Sequence, residues 1–258
     1  MFQVKSPKFN TGRILKKEML EALKNYPIKL VETVYDQYQD GIIDGFDITI
    51  DADNIVVSSG VLKYDTDILV MDNSVKIPYT ATEKVTFLKI KLLPVVEDED
   101  FYAREATIVL STNPQLDDNE WELLRFKLKE GAYLRTDYQD FSDLITEYNT
   151  VNFLHQERSL KSGQALAPVL IKQFCQAVEA LGTTHTLDQA FCLQTHMSQN
   201  LVEKRAVEYY IATRLSLPTK SLSALEIHEK LGQILLEIKH DKQEKGSQRQ
   251  RSRRMIVD

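Results

Sequence analysis

Residues 40–79 read DGIIDGFDITIDADNIVVSSGVLKYDTDILVMDNSVKIPY, and no other stretch restricts the fold as much. Phe46, Ile48 and Ile50 alternate with Asp47, Thr49 and Asp51. A period of two sends successive side chains to opposite faces, which predicts a strand and not a helix. Asp51-Ala52-Asp53-Asn54 is turn chemistry, because short polar side chains bond nearby amides and tolerate left-handed backbone. Ile55, Val56 and Val57 begin the return strand. Ser58-Ser59-Gly60 interrupts it, and Gly60 can take the positive φ that a β-branched residue resists. Val61, Leu62 and Tyr64, then Ile68, Leu69 and Val70, then Val75, Ile77 and Tyr79 continue the pattern. The expectation is a meander of short strands, packed on one face and wet on the other.

The flanks extend this unit. Val85, Phe87, Leu88, Ile90 and Leu92 predict a strand that Pro94 ends, and Glu97-Asp98-Glu99-Asp100 an acidic loop. Residues 101–111 and 121–128 predict two further strands, so the antiparallel β-rich unit is placed at 40–135. Upstream, Phe2, Val4 and Phe9 punctuate an extended arm in which Pro7 blocks a helix. Thr11 is a candidate cap for an amphipathic helix over 13–26 that carries Ile14, Leu15, Met19, Leu20 and Leu23. Pro27 is expected to interrupt it before a second helical segment through Leu30, Val31, Val34, Tyr35 and Tyr38.

From residue 140 the period becomes helical, through Phe141, Leu144, Ile145 and Tyr148. Ser162-Gly163-Gln164 is a break. Pro168 fits the first turn of a helix carrying Val169, Leu170, Phe174 and Val178, and Gly182 its C-terminal cap. Residues 186–215 form one long helix or two, and 221–239 the last one. The fold class is therefore α+β: an N-terminal arm and helices (1–39), the β-rich unit (40–135), an α-helical bundle unit (136–241) and a basic tail (242–258).

The run through Gly41, Ile42, Ile43, Gly45, Phe46, Ile48 and Ile50, followed by Val57, Gly60, Val61 and Leu62, resembles a β-module in tail and baseplate components of phages and phage-like contractile injection systems. The preceding helix fits as well, whereas Asp65-Thr66-Asp67 stands where that pattern usually has another glycine. The resemblance spans about half of the chain. It implies a structural role with other tail or baseplate subunits as partners, in a homo- or hetero-oligomer. It also implies assembly in the bacterial cytoplasm into a virion or injection particle. It implies no reaction and no cofactor.

The 258 residues, 43% hydrophobic and 27% charged, are ordinary for a globular chain able to bury a core without disulfides. Cys175 and Cys192 have no framework spacing, which favours a reducing compartment. No run approaches the apolar length of a membrane span, and the N-terminus lacks the apolar segment of a secretory signal, so export by the general pathway is not expected.

Candidate chemistry is sparse. Cys192 and His196 share a helix face, with His185 and Cys175 nearby, yet no paired metal-ligand spacing supports a metal site over buried structural residues. Asp51 and Asp53 begin like a calcium loop, but Val56 and Leu62 occupy the positions that need Gly and Glu. His155, with Glu157 two residues on, has no evident partner for acid–base work. Nucleophile-elbow, phosphate-loop and dinucleotide fingerprints do not occur.

The net charge of −6 conceals an asymmetry: residues 239–254 hold seven Lys/Arg against two acids. Residues 243–254 are expected to lack fixed structure alone. Arg249, Arg251, Arg253 and Arg254 suit an acidic neighbouring subunit or, as the alternative reading, nucleic acid; no aromatic residue is interleaved there for base stacking. Met255, Ile256 and Val257 form an apolar end suited to a partner's sheet edge. With Phe2, Val4 and Phe9 these are the candidate partner-binding residues. The function expected is a non-enzymatic adaptor subunit.

Overall fold

The computed structural model describes residues 4–161 and 163–253, with 245–253 traced by backbone alone. The fold is α+β: an N-terminal helix, antiparallel β-rich sheets, then a helical region. Helix α1 (Lys17–Tyr35) leads into β1 (Gly41–Gly45), β2 (Ile48–Asp51), β3 (Asn54–Val57), β4 (Gly60–Tyr64), β5 (Asp67–Met71) and β6 (Val75–Pro78). Next come β7 (Val85–Leu92), β8 (Val96–Glu97), β9 (Tyr102–Ala103), β10 (Ala106–Ser111) and β11 (Glu120–Lys127). A 3-10 turn (Phe141–Ile145), β12 (Glu157–Ser159) and β13 (Gln164–Leu166) precede α2 (Pro168–Leu181), α3 (Thr186–Met197), α4 (Lys204–Arg214) and α5 (Ala224–Arg253).

The alternating stretch folds as one long hairpin bent in the middle. β2 and β3 close on the two-residue turn Ala52-Asp53, with Ala52 at φ 49°. Below the bend β1 pairs with β4. The bend itself is hydrogen-bonded across both strands: Phe46 N–H donates to Ser59 O at 3.0 Å and Ser58 N–H to Asp47 O at 2.9 Å. Two glycines make it possible. Gly45 sits at φ 72°, and a Cβ there would lie 2.1 Å from Ser59 O. A Cβ on Gly60 would lie 2.5 Å from the Phe46 ring. Phe46 itself is left-handed at φ 54° while its ring is buried. Such backbone costs a non-glycine residue roughly 1–2 kcal/mol, and burying the ring stabilises by about 2–3 kcal/mol.

Because of the bend, the expected meander divides between two sheets. One runs β13-β12-β1-β4-β5, the other β2-β3-β6. β1 lies between β4 and β12 and is buried over residues 41–43. The β1–β12 pair is parallel, and Arg158 on β12 donates through Nη1 to Gly45 O at 2.6 Å. The third sheet, β10-β7-β11, is antiparallel. Its middle strand buries Lys89, whose ammonium reaches Glu120 Oε2 at 3.1 Å and the Gln115 carbonyl. Glu122 and Arg125 on β11 form a two-pronged pair at 2.6 and 2.7 Å. One hydrophobic core continues from Ile42, Phe46 and Leu62 through Leu88 and Leu124 to Phe174, Tyr210 and Ile234.

Several expectations are corrected. α1 is a single helix with Pro27 inside it, not two segments. Proline removes one internal donor, and on an exposed helix water can take the freed Leu23 carbonyl. The helix starts at Lys17 behind Lys16, not behind Thr11, which sits in a turn with Gly12. The strand expected over 101–111 is split at Arg104-Glu105 into β9 and β10. The acidic loop is the tip of the β8–β9 hairpin, where Asp98 Oδ1 accepts from Asp100 N–H and Phe101 N–H. The helix expected at Phe141 is only a 3-10 turn, capped by Asp140. Of the two alternatives for residues 186–215, the two-helix one holds, as α3 and α4. Helix α5 continues through Arg253, where no fixed structure was expected. Gln, Glu, Lys and Arg are good helix formers, and a helix already nucleated by packing propagates through them.

Gly60→Ala is expected to destabilise the protein by about 2 kcal/mol through overpacking against Phe46, and Gly45→Ala by more, because its obstacle is backbone. Gly131→Ala, also left-handed at φ 73° but with nothing near its Cβ, should cost only about 1 kcal/mol. Urea denaturation midpoints measure the ranking.

Candidate functional site

Helix α1 has no buried side chain. Leu20, Leu23, Leu30 and Val34 recur at helical spacing, and each keeps about half of its surface exposed. Pro27, Ile28 and Val31 form the adjoining face, which looks into a groove of about 780 Å³. The helix is thus apolar over two neighbouring faces, whereas a surface helix normally has one apolar stripe turned to its own core. Val4, Phe9, Ile14 and Leu15, in the segment before it, are exposed as well. Clustered exposed apolar surface of this kind marks an interaction site.

The groove lies between α1 and the strands β5 and β10. Phe46, Leu62, Ile90 and Ile108 line its apolar part. Arg104 bridges its two sides, donating through Nε to Asp67 Oδ2 at 2.5 Å, and Tyr102 OH donates to the same carboxylate at 2.9 Å. The hydrogen bond Arg104 donates through Nη2 to Tyr102 OH at 3.0 Å, and after it the Asp67 carboxylate, raise the already high guanidinium pKa. Glu32 and Glu105 line the groove and are exposed.

The titratable groups whose properties shift most lie away from the groove and tie scaffold elements together. Arg135 holds Asp143 by two hydrogen bonds of 2.6 and 2.7 Å and, with Thr146 and the Gln139 amide, keeps its carboxyl well below the usual range. Asp188, fully buried on α3, accepts from Tyr210 OH at 2.8 Å and Arg214 Nε at 3.0 Å on α4. Arg214 also reaches Glu237 on α5 at 2.9 Å. Burial and the Asp188 charge push the Tyr210 phenol up. Burial likewise raises Tyr138, whose hydroxyl donates to Val151 O at 2.6 Å.

The candidate chemistry of the sequence comes out as packing. Cys175 on α2 and Cys192 on α3 are free and buried. His196 pairs with Glu179 at 2.5 Å, which raises its pKa. His185 lies 3.9 Å from Asp188. Among the described residues no three His, Cys, Asp or Glu side chains gather where a metal would sit. Burial lowers the pKa of His155, and its neighbours Arg125 and Glu122 are already paired with each other. Asp51 and Asp53 flank and form the hairpin turn, and Lys76 takes Asp51 at 2.6 Å.

Of the candidate partner-binding residues, Val4 and Phe9 are exposed beside α1. Arg249, Arg251 and Arg253 belong to α5, and their side chains are not described. Phe2, Arg254, Met255, Ile256 and Val257 lie outside the described residues. The α1 stripe itself was missed as a site. Its signal was present in the sequence, in apolar residues placed on more of the helix than one core contact uses. No helix among the described residues is long and apolar enough to cross a membrane.

No family model matches the sequence, and no curated protein matches it. Two solved structures are similar in shape. One is a chain of the TssK-TssF-TssG baseplate subcomplex of a type VI secretion system, at a TM-score of 0.39 and 8% identity. That match covers 92% of this chain and 100% of the other. The second is TssK in crystal form, at a TM-score of 0.36 and 11% identity, covering 90% of this chain and 69% of the other.

The Asp143 pair generates a pH dependence. Its folded-state pKa is depressed below the ordinary value near 3.9, so its stabilisation is complete above that value and is lost as pH falls towards the folded pKa. Asp143→Asn should cost about 2 kcal/mol at neutral pH, since it removes charge-assisted hydrogen bonds. It should also flatten the fall in thermal stability between about pH 5 and about pH 2, read by circular dichroism melts.

Proposed function

We propose that this chain is a non-enzymatic structural subunit of the baseplate of a phage-like tail or contractile injection particle, acting through contacts with neighbouring subunits. The observation behind this reading is α1, a helix of 19 residues with no buried side chain and exposed leucines along one face. Most helical stability in proteins comes from packing an apolar face, and α1 buries no side chain, so in this reading its face meets a partner. The arm carrying Val4 and Phe9 adds apolar contact next to it.

The sequence resemblance points the same way, because its residues have a mechanical job. Gly45, Phe46 and Gly60 form the bend that joins two sheets, and Ile42, Val57 and Leu62 are buried around it. A stiff scaffold of this kind sets the direction of an adaptor's contacts. Polar groups that a reaction would need are occupied in holding helices and strands together, as Asp143, Asp188 and Glu122 are. In this reading the subunit is made in the bacterial cytoplasm, joins other tail or baseplate subunits, and performs no turnover.

Leu23→Asp combined with Leu30→Asp tests it. Both positions are exposed, so the melting temperature should move little, while self-association or co-purification with proteins encoded beside this chain should weaken by at least about tenfold. Unchanged association in the double variant, or no association by the unmodified chain, refutes the proposal. Analytical ultracentrifugation and pull-down provide the readouts.

A further inference from the structure

The groove under α1 has two strand edges without ladder partners. β5 ends the order β13-β12-β1-β4-β5, and β10 ends the order β10-β7-β11. Residues 66–71 and 104–108 line the groove without a break, so both edges run along it. An edge strand presents N–H and C=O groups that an added strand satisfies. Apolar side chains line the groove, and its rim is acidic. Glu32 and Glu105 are exposed, Asp67 already has Arg104, and the four acids 97–100 stand exposed at the tip of the hairpin whose Tyr102 lines the groove. A fitting occupant is extended, apolar and flanked by cations.

This sequence contains such a segment. Arg249, Arg251, Arg253 and Arg254 run directly into Met255, Ile256 and Val257, and residues 254–258 lie outside the described structure. We propose that residues 255–257 of one copy of the chain add as a strand to an open edge of this groove in a second copy, with the preceding arginines against its acidic rim. Helix α5 packs on α2 and α4, whereas the groove is built by α1, β5 and β10. The segment and the groove that would receive it are different stretches of the sequence. The contact is therefore head-to-tail, of the kind that propagates into a ring or a filament. The inference rests on the reading of the chain as an assembling subunit and names one of its partners.

A fluorescent peptide of residues 249–258 tests this, titrated by anisotropy against the full chain carrying Ile256→Asp and Val257→Asp, which leaves the groove free. Saturable binding is expected. It should weaken by at least about tenfold when the peptide carries Ile256→Asp or the receiving chain carries Glu32→Lys with Glu105→Lys, or Val70→Lys on the exposed side of β5. In sedimentation velocity the unmodified chain should self-associate more strongly than the Ile256→Asp, Val257→Asp chain. The proposal is overturned by an absence of saturable binding, or by binding indifferent to Ile256→Asp, which is charge attraction alone. It is also overturned if the unmodified chain stays monomeric while the peptide binds only the doubly substituted one, since the tail then sits on its own chain. Tail-dependent retention of duplex DNA without peptide binding overturns it in favour of nucleic acid. If self-association persists in the doubly substituted chain but is lost with Leu23→Asp and Leu30→Asp, this inference falls and the subunit reading stands.

Discussion

The backbone cannot pass Phe46 without bending, and most of the β half depends on that. Gly45 and Phe46 are both left-handed, and Gly60 leaves the space the Phe46 ring fills. A hairpin that stayed straight would keep β2 and β3 in the sheet of β1 and β4. Bent, it sends them off to build a second sheet with β6, and the hydrophobic core lies across the bend. Arg158 fixes the same place from the other half of the chain, donating to Gly45 O from the strand that pairs in parallel with β1. A strained backbone residue persists where its surroundings over-determine it, and here a buried ring, two glycines and a buried guanidinium do so together.

The rest of the molecule spends its polar chemistry on holding elements in place. Asp188 and Arg214 link three helices, Asp143 and Arg135 staple the 3-10 turn to the segment before it, and Lys89 and Glu120 cross the middle of a sheet. Buried charges require such partners, since an unpaired one is costly to take out of water. Against that interior, α1 stands out among the described residues as a long helix with no buried side chain. The exposed apolar residues of the helix and the groove below it are the surfaces that the proposed function draws on.

Legibility differed by element for physical reasons. The strands around Ile48, Val57 and Leu62 could be read because alternation and turn residues act locally. Pro168 and Gly182 marked the ends of α2 correctly, because each residue's backbone preference is intrinsic. Pro27 misled for the complementary reason. Its missing donor breaks a helix only where the freed carbonyl cannot reach water, and exposure is not written in a local pattern. The alternation expected of a half-wet strand failed in β1 and β7, where both faces of the strand are covered and consecutive residues are buried. As for the site, the sequence displayed the apolar residues of α1, but helical spacing alone reads as an ordinary core-facing stripe.

What the sequence determined by itself is the run of alternating strands over residues 41–78 and the ends of α2, since φ/ψ preference and side-chain period are properties of a few adjacent residues; β12 and β13, which lie in the stretch expected to be helical, it did not reveal. Gly60, expected at a positive φ, is not left-handed; it matters because a Cβ there would strike the Phe46 ring, and that contact is not written in the local sequence. Only the tertiary structure decided that the hairpin serves two sheets, that β12 joins β1 across more than a hundred residues of chain, and that α1 remains uncovered. Those outcomes depend on which surfaces meet, and a meeting between distant segments leaves no periodicity in either one.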